Sequence, residues 1–444
     1  MNVDLQHPNS MAAETAPFTW GRRHTVLAMS FLAVFIGYTD RVNISVAAIA
    51  MQTTFHWSQT TKGFVLSAFF IGYLASLLPS GWLATRIGGK RLLTACVAGW
   101  SLFTLLTPLA ANVSLSLLIA ARIGLGLCEG ALFPATYELL SRWAPPSEHS
   151  RAVIRLASGI PLGQVGGLMA SGWLVAQYGW PAPFYVFGIA GFIWALFWVR
   201  KVVADPHLDP TLPPAERALF DHQWSANEAA AAAAQPRWST LLLNRAVWAA
   251  IVALFCGNWG LFFLLAWLPS YFREVQGLSI ASAGLFSAAP WGGYFLFANL
   301  ASMVSDRAIA RGADGTAVRK TVLIIAFAIA ATCLYLTREA SSTFMAVLLL
   351  TASAGGFGAA SAAYSANFLE LIPNRAGLFV GFGNTLATIP GIVAVSTTGW
   401  IVDHTHSYAA AFITTALIAG VGAVFYLFCG SARAVQRVAA TDHP

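Results

Sequence analysis

The sequence predicts an all-α polytopic membrane protein built from two six-helix halves. Of its 444 residues, 57% are hydrophobic and only 10% are charged, whereas a soluble domain carries about 25% charged residues. About a dozen apolar stretches approach the roughly 20 residues that cross a bilayer, and one long polar interval divides them six and six. The lipid bilayer is therefore the expected surrounding of this chain.

The apolar stretches define twelve predicted spans. They lie near 24–50, 62–84, 92–110, 113–140, 152–177 and 182–200 in the first half, and near 243–271, 280–304, 319–337, 342–369, 376–402 and 408–430 in the second. The polar interval 201–242 holds Pro206, Pro210, Pro213, Pro214 and Pro236, a composition typical of a linker. The predicted divisions are a tail (1–23), the first half (24–200), the linker (201–242), the second half (243–430) and a tail (431–444).

The distribution of basic residues predicts the topology. If the spans alternate, twenty of the 25 Lys and Arg residues lie in loops on the side of the two termini. Three lie on the opposite side (Lys62, Arg273, Arg338), and two lie inside spans (Arg41, Arg122). Because basic loops stay in the cytoplasm, both termini are predicted to be cytoplasmic, in a multi-pass protein of the inner (plasma) membrane. The net charge of +7 then reflects topology, and no nucleic-acid partner is expected.

The sequence gives no indication of an enzyme. It contains no His-Glu-x-x-His pair, no nucleophile elbow and no nucleotide-binding Gly-x-x-x-x-Gly-Lys-Ser/Thr loop. The five cysteines lie in or beside apolar spans without metal-ligand spacing. No cofactor and no metal site are predicted.

The two halves resemble one another at equivalent places. Gly172-Trp173-Leu174-Val175 closes the fifth predicted span, and Gly399-Trp400-Ile401-Val402 closes the eleventh. The loop after the second span runs from Gly81 to Arg86, and Ser302 to Arg307 follows the eighth. These matches indicate a duplicated six-helix unit.

Four ionisable residues lie deep inside predicted spans, where a charge is costly and usually functional. Asp40 and Arg41 lie in the middle of the first span, beside Tyr38. Arg122 and Glu129 lie on one face of the fourth span with a rise of about 10 Å between them, too far for a direct pair. An arginine fork suits a carboxylate, and a desolvated carboxylate can carry a proton. Asp40 and Glu129 are thus candidate proton carriers, and Arg41 and Arg122 are candidate anion anchors. The alternative is a buried charge network that only joins the two spans.

Other polar residues in the spans give weaker indications. Tyr73, Gln164, Tyr364 and Asn384 are candidates to line a cavity between the halves. Hydrogen bonding between helices is the alternative for each of them.

Several motifs resemble those of the anion:cation symporters of the major facilitator superfamily, which include sialin, plant plastid anion transporters and bacterial sugar-acid carriers. In chain order they are Tyr38-Thr39-Asp40-Arg41-Val42-Asn43, Phe69-Phe70-x-Gly72-Tyr73, Glu129-Gly130-x-x-Phe133-Pro134, Trp143-Ala144-Pro145-Pro146-x-Glu148, Asn258-Trp259-Gly260, Asn367-x-x-Glu370-x-x-Pro373-x-x-Ala376-Gly377 and Asn384-Thr385-x-Ala387-Thr388-Ile389-Pro390-Gly391. They extend over nearly the whole chain in the order of the family.

The resemblance implies the major facilitator fold and roles for particular residues. Arg41 would hold the substrate carboxylate, and Asp40 and Glu129 would be protonation sites, with Arg122 stabilising Glu129. Tyr73, Tyr364 and Asn384 would contact the substrate.

Three departures from the family's patterns bear on function. Thr85 stands where the superfamily usually has Asp in the gating loop Gly81–Arg86, whereas Asp306-Arg307 keeps the pair in the second half. Leu66 and Gly257 replace the histidine and arginine of vesicular glutamate transporters, which argues against glutamate as substrate. The long luminal insertion of animal members is absent, which favours a bacterial protein.

Together these observations predict a secondary active transporter, most simply a monomer. It would take up a small organic anion, such as a sugar acid or another carboxylate, with protons by alternating access. An exporter or anion exchanger of the same superfamily is the first alternative, because the glycine- and proline-containing run from Gly159 to Gly167 resembles an antiporter motif. A membrane receptor without transport is the second.

Overall fold

The computed structural model describes residues 20–145, 148–214, 216–217, 219–220, 242–371 and 376–433. Helices of the first half are α1 (Arg22–Phe55), α2 (Gln59–Ile87), α3 (Gly89–Val113), α4 (Leu115–Glu129), α5 (Leu132–Trp143), α6 (His149–Ala157), α7 (Gly159–Tyr178) and α8 (Ala182–Lys201). Those of the second half are α9 (Arg245–Glu274), α10 (Ile280–Ala310), α11 (Gly315–Thr337), α12 (Thr343–Leu371), α13 (Ala376–Leu386), α14 (Ile389–Thr405) and α15 (Ala409–Cys429). The predicted all-α architecture is confirmed.

Three of the predicted spans are each broken into two helices, and a proline lies in the first turn of the helix that follows each break. A proline inside a helix lacks the N–H that the carbonyl four residues earlier requires. Pro134, Pro161 and Pro390 stand four residues after Gly130, Ala157 and Leu386, which lie at the ends of α4, α6 and α13. The first break places Glu129 at the end of a helix in the middle of the fourth span.

Eleven spans in the described residues are long and apolar enough to cross a membrane. The broken helices contribute continuous spans over Leu115–Trp143, Arg151–Tyr178 and Gly381–Thr405. The remaining predicted span, the eighth in chain order (280–304), corresponds to α10, a helix of 31 residues in which Ala, Gly and Ser alternate with larger apolar residues. Its lower hydropathy sets it apart from the other eleven.

The two halves meet closely at one end of the bundle. We call the end at which α1 begins and α15 ends the terminus side, and the opposite end the far side. A β-carbon built on Gly63, near the far-side start of α2, would lie 3.3 Å from the α-carbon of Gly399 on α14. One built on Gly284 of α10 would lie 2.6 Å from the carbonyl oxygen of Leu168 on α7. Glycine thus permits backbone contact between the halves, and the bundle is closed on the far side.

The first part of the predicted linker packs on the terminus side of the first half. Phe220 is 2% exposed and contacts Trp143 with ring centroids 6.0 Å apart. The carboxylate of Glu216 accepts hydrogen bonds from the backbone N–H groups of Arg22 (2.9 Å) and Arg23 (3.0 Å). A carboxylate in this position caps the exposed N–H groups at the start of α1 and is favoured by the helix dipole.

A second carboxylate supports the same helix start. Glu148, just before α6, accepts two hydrogen bonds from the guanidinium of Arg23, at 3.0 and 3.1 Å. These bonds hold the pKa of Glu148 below its usual range. The start of α1 is therefore fixed both by the linker and by the loop before α6.

We expect Glu216→Ala to lower the stability of the protein by about 1–2 kcal/mol, the usual cost of losing a helix cap. Thermal unfolding of the detergent-solubilised protein measures the change. Glu339→Ala is the matched control, because Glu339 is 68% exposed and pairs only with its neighbour Arg338 in the described residues. Equal melting temperatures for the two variants would contradict a capping role.

Candidate functional site

The centre of the site is a buried ion pair between α1 and α4. The Nη2 atom of Arg41 lies 2.8 Å from Oε2 of Glu129, and its Nε lies 3.1 Å from the same oxygen. The side chains are 6% and 0% exposed. A charge pair so far from water persists only with good geometry, and removing one partner leaves the other charge uncompensated.

Local sequence explains how Glu129 reaches Arg41. The break after Glu129, which lies just before Pro134, ends α4 at the level of the arginine. On the facing helix α1, a β-carbon built on Gly37 would lie 3.3 Å from Oε1 of Glu129. Glycine at this position therefore leaves room for the carboxylate between the two helices.

Aromatic rings surround the guanidinium of Arg41. The ring centroids of Tyr38, Tyr73 and Phe69 lie 4.4, 4.7 and 4.9 Å from its central carbon. Such rings stabilise a cation through their negative faces without using its N–H groups. The fork thus remains available for a carboxylate, whether from Glu129 or from a bound anion.

Asp40 and Arg122 are also buried, and in the described residues several of their polar atoms lack hydrogen-bond partners. Asp40 is 0% exposed and Arg122 is 1% exposed. Both carboxylate oxygens of Asp40, and Nε and Nη1 of Arg122, have no hydrogen-bond partner there. Buried polar groups normally have partners, so orphaned ones indicate a place for water, a proton or a ligand.

A small cavity connects the charged residues to the second half. It offers about 20 Å³ to the centres of water molecules, roughly the room of one water. Arg41, Ser45 and Arg122 line it from the first half, and Leu265 and Ala266 of α9 line it from the second. The two arginines therefore face the interface between the halves.

The other predicted lining residues lie in separate places. Gln164 is buried on α7 and Tyr364 is buried on α12, whereas Asn384 is exposed on α13. A β-carbon on Gly257 would lie only 3.2 Å from the hydroxyl of Tyr364. The described hydrogen bonds of Arg41 go to Glu129, so contact of these residues with a common ligand stays a prediction.

The predicted gating residues are open to solvent in this state. Arg86 and Arg307 are exposed, and Arg86 lies over the ring of Trp82 at 5.1 Å. The side chain of Asp306 is 71% exposed and lies 3.9 Å from Arg319 of its own half. A β-carbon on Gly81 would meet no atom within 4 Å. Their gating role stays a prediction.

Two features of the site were not anticipated from the sequence. Arg41, not a residue of the fourth span, is the direct partner of Glu129. The sequence analysis began the second predicted span at Lys62 and counted this residue on the far side, but it did not anticipate the burial of its side chain. Lys62 lies in α2 and is 0% exposed, because α9 of the second half covers it. In the sequence, the one indication that Lys62 could be buried is its position at the start of an apolar run.

Comparisons with known proteins identify the family. The model of the Major Facilitator Superfamily matches residues 30–395. Probable anion transporter 4, chloroplastic, of Oryza sativa subsp. japonica is 36% identical over 86% of this chain, and the match spans 64% of that protein. Sodium-dependent phosphate transport protein 1, chloroplastic, of Arabidopsis thaliana is 35% identical over 86% of this chain and 74% of its own length.

A solved structure agrees with the fold. A bacterial homolog of the human lysosomal transporter Spinster, in an inward-facing and unoccupied conformation, superposes with a TM-score of 0.74. It is 18% identical and covers 93% of this chain and 98% of its own. The predictions of a major facilitator fold and of a transporter rather than an enzyme are confirmed. The chain belongs to the major facilitator superfamily, in the family that contains the plant plastid anion transporters.

Proposed function

We propose that this protein takes up a small organic anion, such as a sugar acid or another carboxylate, together with protons across the inner membrane. Its termini would lie in the cytoplasm, so that the far side faces outward. Glu129 and Asp40 would carry the protons, and Arg41, assisted by Arg122, would bind the carboxylate. Alternating access of the halves would move both across the membrane.

The Arg41–Glu129 pair is the observation that carries this proposal. At 2.8 Å, Glu129 occupies the fork that an anionic substrate requires, so the carboxylate of Glu129 and the substrate compete for one guanidinium. A proton on Glu129 weakens its hold on Arg41 and frees the fork. Loss of that proton on the cytoplasmic side restores the pair and expels the anion. Proton and anion binding are thereby linked.

Asp40 supplies a second buried carboxyl group that can carry a proton. Its carboxylate is fully buried without a hydrogen-bond donor in the described residues. Transfer of an isolated charge into such a place is very costly, whereas a neutral carboxylic acid is tolerated. Asp40 is thus suited to hold a proton in the state seen here and to release it when Arg122 approaches or water enters.

Phosphate transport coupled to sodium is a second candidate function. It is favoured by the name of the Arabidopsis relative, a sodium-dependent phosphate transport protein. Two arginines in one interface also suit a phosphate oxyanion. Export or exchange of an anion by the same fold is the third candidate, because nothing in the Arg41–Glu129 competition fixes the direction of flux.

Purified protein in liposomes tests the proposal. We expect proton influx when one class of carboxylate is added. The panel of anions consists of hexonates, hexarates, hexuronates, sialic acid, tartrate, aromatic carboxylates, glutamate and phosphate. Substitution of choline for sodium is the matched control and should leave the flux unchanged. Phosphate uptake that requires sodium would establish the second candidate. Exchange of internal for external anion without net proton movement would establish the third.

A further inference from the structure

A buried lysine joins the two halves on the far side. Lys62 is 0% exposed, and its Nζ donates hydrogen bonds to Oε1 of Glu274 (2.8 Å), Oγ of Ser270 (3.1 Å) and Oε1 of Gln52 (2.7 Å). The ring of Trp267 lies 4.9 Å away. Three of these four partners belong to α9 of the second half. The desolvated ammonium is therefore satisfied only while the halves stay together.

The second oxygen of Glu274 extends the network. Oε2 accepts hydrogen bonds from Nε2 of Gln59 and from the hydroxyl of Tyr408, both at 2.8 Å. One carboxylate thus contacts two residues at the start of α2, Gln59 and Lys62, and one residue at the start of α15.

Asp403 makes a second connection across the same interface. Its two carboxylate oxygens accept hydrogen bonds from the backbone N–H groups of Gln59 (2.8 Å) and Thr60 (2.7 Å). These N–H groups have no partner inside α2, since they belong to its first turn. A residue of α14 in the second half therefore caps a helix of the first half, and the helix dipole favours its charge.

Close packing makes this arrangement depend on closure of the far side. A β-carbon on Gly399 would collide with the carbonyl oxygen of Gln59, and one on Gly63 would lie 3.1 Å from the carbonyl oxygen of Val395. The hydrogen bonds of Asp403 can form only at this separation of α2 and α14. Any rocking that opens the far side must break both connections.

A pocket gives far-side water access to the two carboxylates. It offers about 430 Å³, far more than the central cavity of about 20 Å³. Glu274, Asp403 and Gln59 line it together with Arg338, His406 and Tyr408. Because the two carboxylates line this pocket, the charged groups can be solvated as soon as the halves separate, which lowers the cost of opening.

We propose that Lys62, Glu274, Asp403 and the first turn of α2 form a latch that sets the balance between the far-side-closed and far-side-open states. The latch holds the far side closed when the central site is empty, and it is distinct from the Arg41–Glu129 pair that recognises the anion. This inference rests on the alternating access proposed above, but it concerns the gate and not the substrate.

Labelling of a reporter cysteine measures how readily the far side opens, and it does not require transport. Ser45 lines the central cavity and is 2% exposed, so a thiol at this position reports whether far-side water reaches the centre. We compare S45C with the protein carrying the five native cysteines alone, in liposomes exposed to a membrane-impermeant maleimide from each side. The difference between the two labelling rates is the signal.

We expect Lys62→Gln or Glu274→Gln, combined with S45C, to raise far-side labelling at least about fivefold, because each leaves the partner charge uncompensated in the closed state. The charge exchange K62E/E274K should restore labelling to within about twofold of S45C. Arg273→Gln is the matched control, since Arg273 is exposed and donates to Leu278 of its own half. It should leave labelling unchanged.

Several outcomes decide the proposal. Unchanged labelling in E274Q, whose side chain is partly exposed (28%) and tolerates substitution, would overturn the latch even if K62Q failed to fold. Equal increases in E274Q and Arg273→Gln would also overturn it. If transport is absent for the whole anion panel while labelling responds as expected, the latch stands and the proposed substrate class fails.

Discussion

Arg41→Ala is expected to abolish binding of the transported anion. The guanidinium of Arg41 is a buried cation at the interface of the halves that already holds a carboxylate, that of Glu129, at 2.8 Å. Three aromatic rings stabilise its faces. Loss of one partner of a buried, hydrogen-bonded charge pair costs about 2–5 kcal/mol in binding. Affinity should fall at least about thirtyfold. Titration calorimetry on the purified protein, with the anion found in the liposome panel, measures it.

Loss of Arg41 also leaves Glu129 buried without its partner, so a folding defect must be separated from a binding defect. The double variant R41A/E129Q removes both charges and should recover thermal stability but not binding. Arg41→Lys keeps the charge and loses the planar fork, and should retain weak binding. Arg200→Ala is the control, because Arg200 is exposed at the end of α8. Wild-type affinity in R41A/E129Q would show that another residue anchors the anion.

Hydropathy and charge predicted the spans because a bilayer imposes a strong local constraint on each segment. Twenty apolar residues leave few alternatives to a helix, and the predicted stretch 408–430 agrees with α15, Ala409–Cys429. The helix ends were less predictable. α1 extends to Phe55, five residues beyond its predicted end, because a polar last turn remains helical once it contacts other helices. The breaks after Glu129 and Leu386 lie just before Pro134 and Pro390, a local signal that the sequence analysis did not use. This signal alone does not decide the matter, because Pro79 and Pro269 lie inside unbroken helices.

The scarcity of charged residues in membrane spans located the candidate site, but it did not predict which of these residues pair. Charged residues are scarce inside spans, which singled out Asp40, Arg41, Arg122 and Glu129. Arg41 and Glu129 are 88 residues apart in the chain, and their contact depends on how α1 packs against the broken fourth span. Lys62 illustrates the opposite difficulty. It stands at the predicted start of the second span, where a lysine normally reaches water, and its burial depends on contacts with α9 of the second half.

Glu129→Gln is expected to keep anion binding and to remove coupling to protons. Glutamine has nearly the same shape as glutamate but no charge, so it weakens the competition for Arg41 permanently. The wild-type affinity for the anion should rise about tenfold for each unit that the pH falls, while one proton is taken up with the anion. The variant should bind with an affinity at least equal to that of the wild type and with no such pH dependence. Calorimetry between pH 5.5 and 8.5, a range of about three units around neutrality, measures both.

Transport assays on the same variant separate coupling from movement. Exchange of external for internal anion needs only the rocking of the halves, and it should persist in Glu129→Gln. Accumulation driven by a proton gradient needs a group that loses its proton inside, and it should be lost. Glu339→Gln, at an exposed position, is the control and should accumulate normally. Full accumulation by Glu129→Gln would assign the proton to Asp40 alone, and Asp40→Asn would then show the loss. If both single variants accumulate the anion normally, neither carboxylate is required for coupling, and the competition for Arg41 is not the coupling step.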